Sequence, residues 1–156
     1  MPPEQDSPLP SYAVGRETVE AVEGLVTLWF SAVADVNPRL SPRQVRALRA
    51  VRRRPELNVT ALAGHLRIGL PTASRLCDRL EAAGLLRRCV QPDNRREVRL
   101  ETTAQGDRFL AELTRLLSVR LTAAFEGVAV HQRVGLEGVL RALDHGPLDH
   151  GPLDRE

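Results

Sequence analysis

Apolar residues recur along this chain at helical spacing over most of its length and at strand spacing over one short part. From about Ala13 to Val36, Val19, Val22, Val26, Trp29, Val33 and Val36 fall three and four residues apart, with Leu25, Leu28 and Ala32 widening the stripe. That predicts a long helix whose apolar surface needs more than one partner, ended by Asn37-Pro38. Ser41-Pro42-Arg43-Gln44 is a capping box with proline at the first helical position. The helix it starts turns Val45, Leu48 and Val51 inward, and Pro55 closes it. Asn58 then caps a short helix in which Val59, Leu62, Ala63 and Leu66 stand at i, i+3, i+4 and i+7.

A second helix, from about Leu70 to about Ala83, follows after a tight turn. Ala73, Leu76, Cys77, Leu80 and Ala83 share one arc and form its buried face, Gly69 and Pro71 suit its start, and Gly84 supplies the stop. Beyond it, Leu86 to Val90 reads as a strand, Gln91-Pro92-Asp93-Asn94 as a loop, and a return strand alternates Val98, Leu100 and Thr102 with Glu97, Arg99 and Glu101. A long helix from about Ala104 to Phe125 carries Phe109, Leu110, Leu113, Leu116, Leu117, Leu121 and Ala124, and Gly127 breaks it. A last helix, from about His131 to Leu143, sets Leu136, Val139, Leu140 and Leu143 on one face.

The expected class is therefore mainly α: a winged helix-turn-helix over residues 37–103, and dimerisation helices over 13–36 and 104–144. Residues 1–12 have no apolar period, and 145–156 fall mostly in a repeated Asp-His-Gly-Pro-Leu unit; both are expected to be disordered. The Gly-Pro steps leave the tail's histidines and aspartates without a scaffold, so no metal site is assigned to them.

Composition sharpens this picture at two points. The chain has 156 residues, enough for one fold unit, and only 3% aromatic residues, so Leu, Val and Ala must build the core. The net charge of +2 conceals a segregation: Ser41–Thr103 holds 14 Arg against 6 acidic residues, whereas Met1–Val36 has 1 against 6 and Ala104–Glu156 has 6 against 8. A basic middle on acidic flanks is the electrostatic footprint of a nucleic-acid face on a separate scaffold. No leader or membrane-spanning stretch is apparent, and a cytoplasmic location is expected.

The outward arc of the second short helix carries Thr72, Ser74, Arg75, Asp78 and Arg79, next to Pro71 at its start. Hydroxyls at a helix start can bond phosphates or bases, and arginine can bond the N7 and O6 of guanine together. The bland alternative is a solvated face on which Asp78 pairs with Arg75 or Arg79. The hairpin adds Arg87 and Arg88 on its first strand and Arg95 and Arg96 at its tip, as a wing reaching a minor groove or its phosphates would require. The arginines at 43, 46, 49, 52, 53 and 54 read either as a solvated face or as a secondary backbone contact.

Taken in order, Leu62-Ala63, then Ser74-Arg75-Leu76-Cys77-Asp78-Arg79-Leu80-Glu81, then Gly84-Leu85, then Asp93-Asn94-Arg95-Arg96 resemble the winged helix-turn-helix domain of MarR-family transcription regulators, over Ser41 to Gly106. Gly69 stands where that family usually has a Ser or Thr cap, Arg67 where it often has Gly, and Asn94 where the wing aspartate falls. The resemblance implies a homodimer joined by its first and last helices, here through Val22, Val26, Trp29, Leu136, Leu140 and Leu143. It also implies a pseudo-palindromic DNA operator and, commonly, a small-molecule effector, with repression the expected sign.

No constellation of catalytic groups, phosphate loop, cofactor motif or metal-ligand spacing appears, so the chain is not expected to be an enzyme or to hold a cofactor or metal. Two other readings stay open: a winged-helix protein-interaction module that does not bind DNA, and a thiol-based redox sensor of the same fold. Cys77 lies on an apolar arc, so Cys89, beside Arg87 and Arg88, is the better candidate for a lowered thiol pKa.

Overall fold

The computed structural model describes residues 15–90 and 98–145. Six helices and two strands follow in the order α1 (Arg16–Asp35), α2 (Pro42–Arg53), α3 (Val59–Leu66), α4 (Leu70–Ala82), β1 (Leu86–Val90), β2 (Val98–Thr102), α5 (Ala104–Ala124) and α6 (Val130–His145). The last helix thus runs one residue into the segment expected as tail. The chain divides into two compact units, Met1–Ser118 and Val119–Glu156.

In the first unit, local chemistry sets the helix ends. The Ser41 N–H donates to Gln44 Oε1 at 2.7 Å and the Gln44 N–H to Ser41 Oγ at 3.3 Å, closing the capping box that starts α2. Asn58 Oδ1 accepts from the Ala61 N–H at 2.8 Å and starts α3. Gly69 leaves the start of α4 without a side-chain cap.

Both α3 and α4 end in the same way. After α4, the Gly84 N–H donates to the Glu81 carbonyl and the Leu85 N–H to the Leu80 carbonyl, each at 2.9 Å, with Gly84 left-handed at φ 72°. After α3, the Arg67 N–H donates to the Gly64 carbonyl at 3.1 Å and the Ile68 N–H to the Ala63 carbonyl at 3.0 Å, with Arg67 left-handed at φ 53°. Arg67 is the positive-φ non-glycine residue among those described. A side chain in that region costs about 1–2 kcal/mol.

Strands β1 and β2 pair antiparallel, with Leu86 opposite Thr102, Arg88 opposite Leu100 and Val90 opposite Val98. The Leu100 N–H donates to the Leu57 carbonyl at 2.8 Å, tying the hairpin to the segment before α3. Thr103 joins the hairpin to α5. Its N–H donates to the Leu85 carbonyl, its hydroxyl donates to the Gly84 carbonyl at 2.6 Å, and the same oxygen accepts from the Gly106 N–H at 3.0 Å. Gly106 fits there because it has no side chain: a Cβ would lie 2.1 Å from the Leu85 carbonyl oxygen.

The core is aliphatic, as the low aromatic content requires. Leu48, Leu62, Leu80, Leu85, Leu86, Leu100 and Leu113 are fully buried, with Val45, Val51 and Cys77 among them, and Phe109 is the buried aromatic residue among those described. The C-terminal end of α1 joins this cluster through Ala32 and Val33, followed by Val36 just beyond the helix, and Trp29 packs against it. Toward the start of α1, Val19, Val22, Val26 and Phe30 remain about half exposed. The second unit holds the end of α5, a turn at Gly127 with φ 88°, and α6. In it, Val119, Val130, Val134 and Leu140 are exposed.

Candidate nucleic-acid interface

Helix α4 buries Ala73, Leu76, Cys77 and Leu80, and this places the rest of its surface outward. Arg75 and Arg79, one turn apart, are exposed; Pro71 is exposed at the start, and Thr72 and Ser74 are half-buried. Neither Arg75 nor Arg79 has a hydrogen-bond or ion-pair partner among the described residues. Asp78 lies between them yet pairs with neither, because Arg88 Nη2 on β1 holds its Oδ1 at 2.7 Å.

Arg88 is therefore the strut between the wing strand and the back of α4. Its second guanidinium nitrogen bonds Glu81, whose other oxygen accepts from the Arg88 backbone N–H at 3.3 Å. The hydrogen bond to Asp78, and next the bond to Glu81, raise the Arg88 pKa against the opposing effect of burial. Arg87 is likewise occupied: its Nε and Nη2 donate to Glu101 Oε2 at 3.1 and 2.8 Å, across the strand pair in register. That hydrogen bond raises the Arg87 pKa and lowers that of Glu101.

The structure thus divides the sequence-predicted arginines into two groups. Arg75 and Arg79 stand unpaired on the outward face of α4, whereas Arg87 and Arg88 hold the wing to itself and to the helix. Arg95 and Arg96 lie outside the described residues. The Arg88 strut could have been sought in the sequence, since Asp78 and Glu81 at i and i+3 put two carboxylates on one helix face. What the sequence does not show is which strand arginine meets them.

Two adjoining clefts flank α4. One, of about 230 Å³, is lined by Ser41, Arg43, Thr72, Arg75, Leu76 and Arg79. The other, of about 190 Å³, is lined by Arg43, Arg46, Leu66, Arg67, Ile68 and Leu76. Arg43 and Leu76 belong to both, so the start of α2 continues the cationic surface of α4.

The lowered Cys89 thiol pKa that the redox-sensing alternative requires is not found. Burial, and then the hydrogen bond and charge of Glu101, raise it, and they outweigh Arg87, whose guanidinium is already engaged with that carboxylate. Burial also raises the Cys77 pKa. Of the residues assigned to a dimer interface, Val22 and Val26 are about half exposed on α1, Trp29 is partly buried and packs edge-on against Phe30, Leu136 is partly buried and Leu140 is exposed. The Leu143 side chain lies outside those described.

A helix-turn-helix followed by a two-stranded antiparallel hairpin is a winged helix-turn-helix. Residues 40–98, which include the helix-turn-helix and the first residue of the return strand, match the model of the MarR family. The fold is that of known structures. RV1404 from Mycobacterium tuberculosis is 24% identical, with a TM-score of 0.75 over 90% of this chain and 100% of the other. A MarR family protein from Bacillus stearothermophilus is 23% identical, with a TM-score of 0.67 over 85% and 96%. Wild-type MarR from E. coli, in its apo form, is 18% identical, with a TM-score of 0.65 over 84% and 96%. No curated protein matches the chain. Among the described residues, no helix is long and apolar enough to cross a membrane.

Proposed function

We propose that this chain is a homodimeric, sequence-specific DNA-binding transcription regulator, a cytoplasmic repressor relieved by a small-molecule effector. The observation that carries the DNA reading is the unpaired state of Arg75 and Arg79 on α4, in a protein whose strand arginines Arg87 and Arg88 are both spent on internal carboxylates. Unpaired guanidiniums on an outward helix face suit guanine edges and phosphates, and Thr72 and Ser74 add hydroxyls near the helix start. The exposed apolar residues Val22 and Val26 on α1, and Leu140 on α6, support assigning each helix a role against a second copy. In such a dimer two α4 helices enter successive major grooves of a pseudo-palindromic site, with the wings toward the flanking minor grooves.

The test is a fluorescence-anisotropy titration of the full-length protein with a mixed-sequence duplex over a range of salt concentrations. Affinity that falls steeply and linearly on a log–log plot supports DNA binding. Absence of salt-sensitive binding at low salt overturns it and favours a protein-interaction module.

A further inference from the structure

We infer that Arg88 is a positioning residue for DNA reading: from β1 it holds the Asp78 carboxylate, which would otherwise pair with Arg75, and so leaves the Arg75 guanidinium open to a base edge or phosphate. This rests on the DNA-binding reading above.

The competition follows from the spacing of charges on α4. Side chains three or four positions apart on a helix face one another, and adjacent ones do not. At those distances from Asp78 stand Ser74, Arg75, Glu81 and Ala82, so Arg75 is the cation its own helix offers it and Glu81 is a carboxylate that repels it. Without a partner from another element, Asp78 would turn to Arg75. The structure shows the opposite: Arg88 Nη2 holds Asp78 Oδ1 at 2.7 Å, and Arg75 has no hydrogen-bond or ion-pair partner among the described residues.

Three features favour Arg88 in this competition. One guanidinium spans both carboxylates, Nη1 on Glu81 and Nη2 on Asp78, and so also removes their mutual repulsion. The Arg88 side chain is 27% exposed whereas Arg75 is an exposed residue, so the pair that forms is less screened by water than the pair it displaces. The Arg88 backbone is held in place: its N–H donates to Glu81 Oε1 at 3.3 Å, and Leu100, opposite Arg88 in the strand pair, donates its N–H to the Leu57 carbonyl. Glu81 has no cation three or four positions away, so its share in the grip takes nothing from the outward face of α4.

The test measures binding of a mixed-sequence duplex by anisotropy, together with thermal midpoints, for the full-length wild type, Arg88→Ala, Asp78→Asn and the double variant Arg88→Ala, Asp78→Asn. Arg88→Ala should bind about two- to fivefold more weakly, the strength of one exposed ion pair that DNA must then break. Asp78→Asn should bind at least as well as wild type. In the double variant the loss caused by Arg88→Ala should vanish, because an amide does not compete for Arg75. In an Arg75→Ala background, Arg88→Ala should cost no further affinity. A double variant as weak as Arg88→Ala alone would overturn the proposal, since it would show that Arg88 only braces the wing or meets DNA itself. Arg88→Ala that binds like a salt-sensitive wild type would overturn it too and leave the DNA reading intact, whereas a wild type without salt-sensitive binding would overturn the DNA reading itself. Should Arg88→Ala fail to fold, Arg88→Gln, which keeps most of the stem without the charge, takes its place with the same expectations.

Discussion

At the scale of single residues, the protein separates arginines that hold the fold from arginines left to meet a partner. Arg75→Ala removes an unpaired guanidinium from the outward face of α4. If Arg75 bonds a guanine edge, the loss on a selected site should be about 1–3 kcal/mol, with preference flattened at one base per half-site. Quantitative binding to that site and to single-base variants measures it; an equal loss on all of them would make Arg75 a backbone contact. Arg88→Ala acts differently, because it frees the Asp78 and Glu81 carboxylates of α4. Both carboxylates are substantially exposed, so the stability cost should be only about 1 kcal/mol or less. Cys89→Ser should leave DNA affinity within about twofold in reducing buffer, since the raised thiol pKa makes a poor nucleophile. Peroxide that releases the wild type from DNA but not Cys89→Ser would refute this.

At the scale of elements, two glycines make opposite predictions. Gly106→Ala drives a Cβ into the Leu85 carbonyl oxygen, a backbone atom that cannot turn aside. It should destabilise by about 1–3 kcal/mol. Gly64→Ala meets no atom within 4 Å inside α3, so the helix should gain about 0.5–1 kcal/mol. Thermal and denaturant unfolding of the two variants check the signs. What makes these elements legible in the sequence is local: Ser41 with Gln44, Asn58, Gly84 and the four-residue spacing of leucines fix helix bounds within a turn of chain. Strand β1 spans the same Leu86–Val90 that the sequence between Gly84 and the turn residues from Gln91 suggests. The Arg88 strut, the register that seats Arg87 on Glu101, and the close approach behind Gly106 are not legible. Each joins residues from different elements, and no periodicity encodes which partners meet. The direction of the Cys89 shift is hidden for the same reason, since Glu101 comes beside it only through strand pairing.

At the scale of the whole molecule, four large apolar residues left exposed in the first unit, Val19, Val22, Val26 and Phe30, lie on α1, and exposed Val130, Val134 and Leu140 lie on α6. We expect a homodimer with an isologous interface, so each substitution acts twice. Light scattering at micromolar concentration should give the dimer mass for wild type and the monomer mass for the double variant Val22→Glu, Val26→Glu. A monomeric wild type would refute the assignment. The central claim is that a pair of α4 helices reads DNA by sequence, and selection of binding sites from a random-sequence duplex library by the full-length protein tests it most directly. The account predicts enrichment of an inverted repeat whose half-sites lie about one helical turn apart, around 10 base pairs. A library that emerges without an enriched sequence, or with a single unrepeated element, would contradict it.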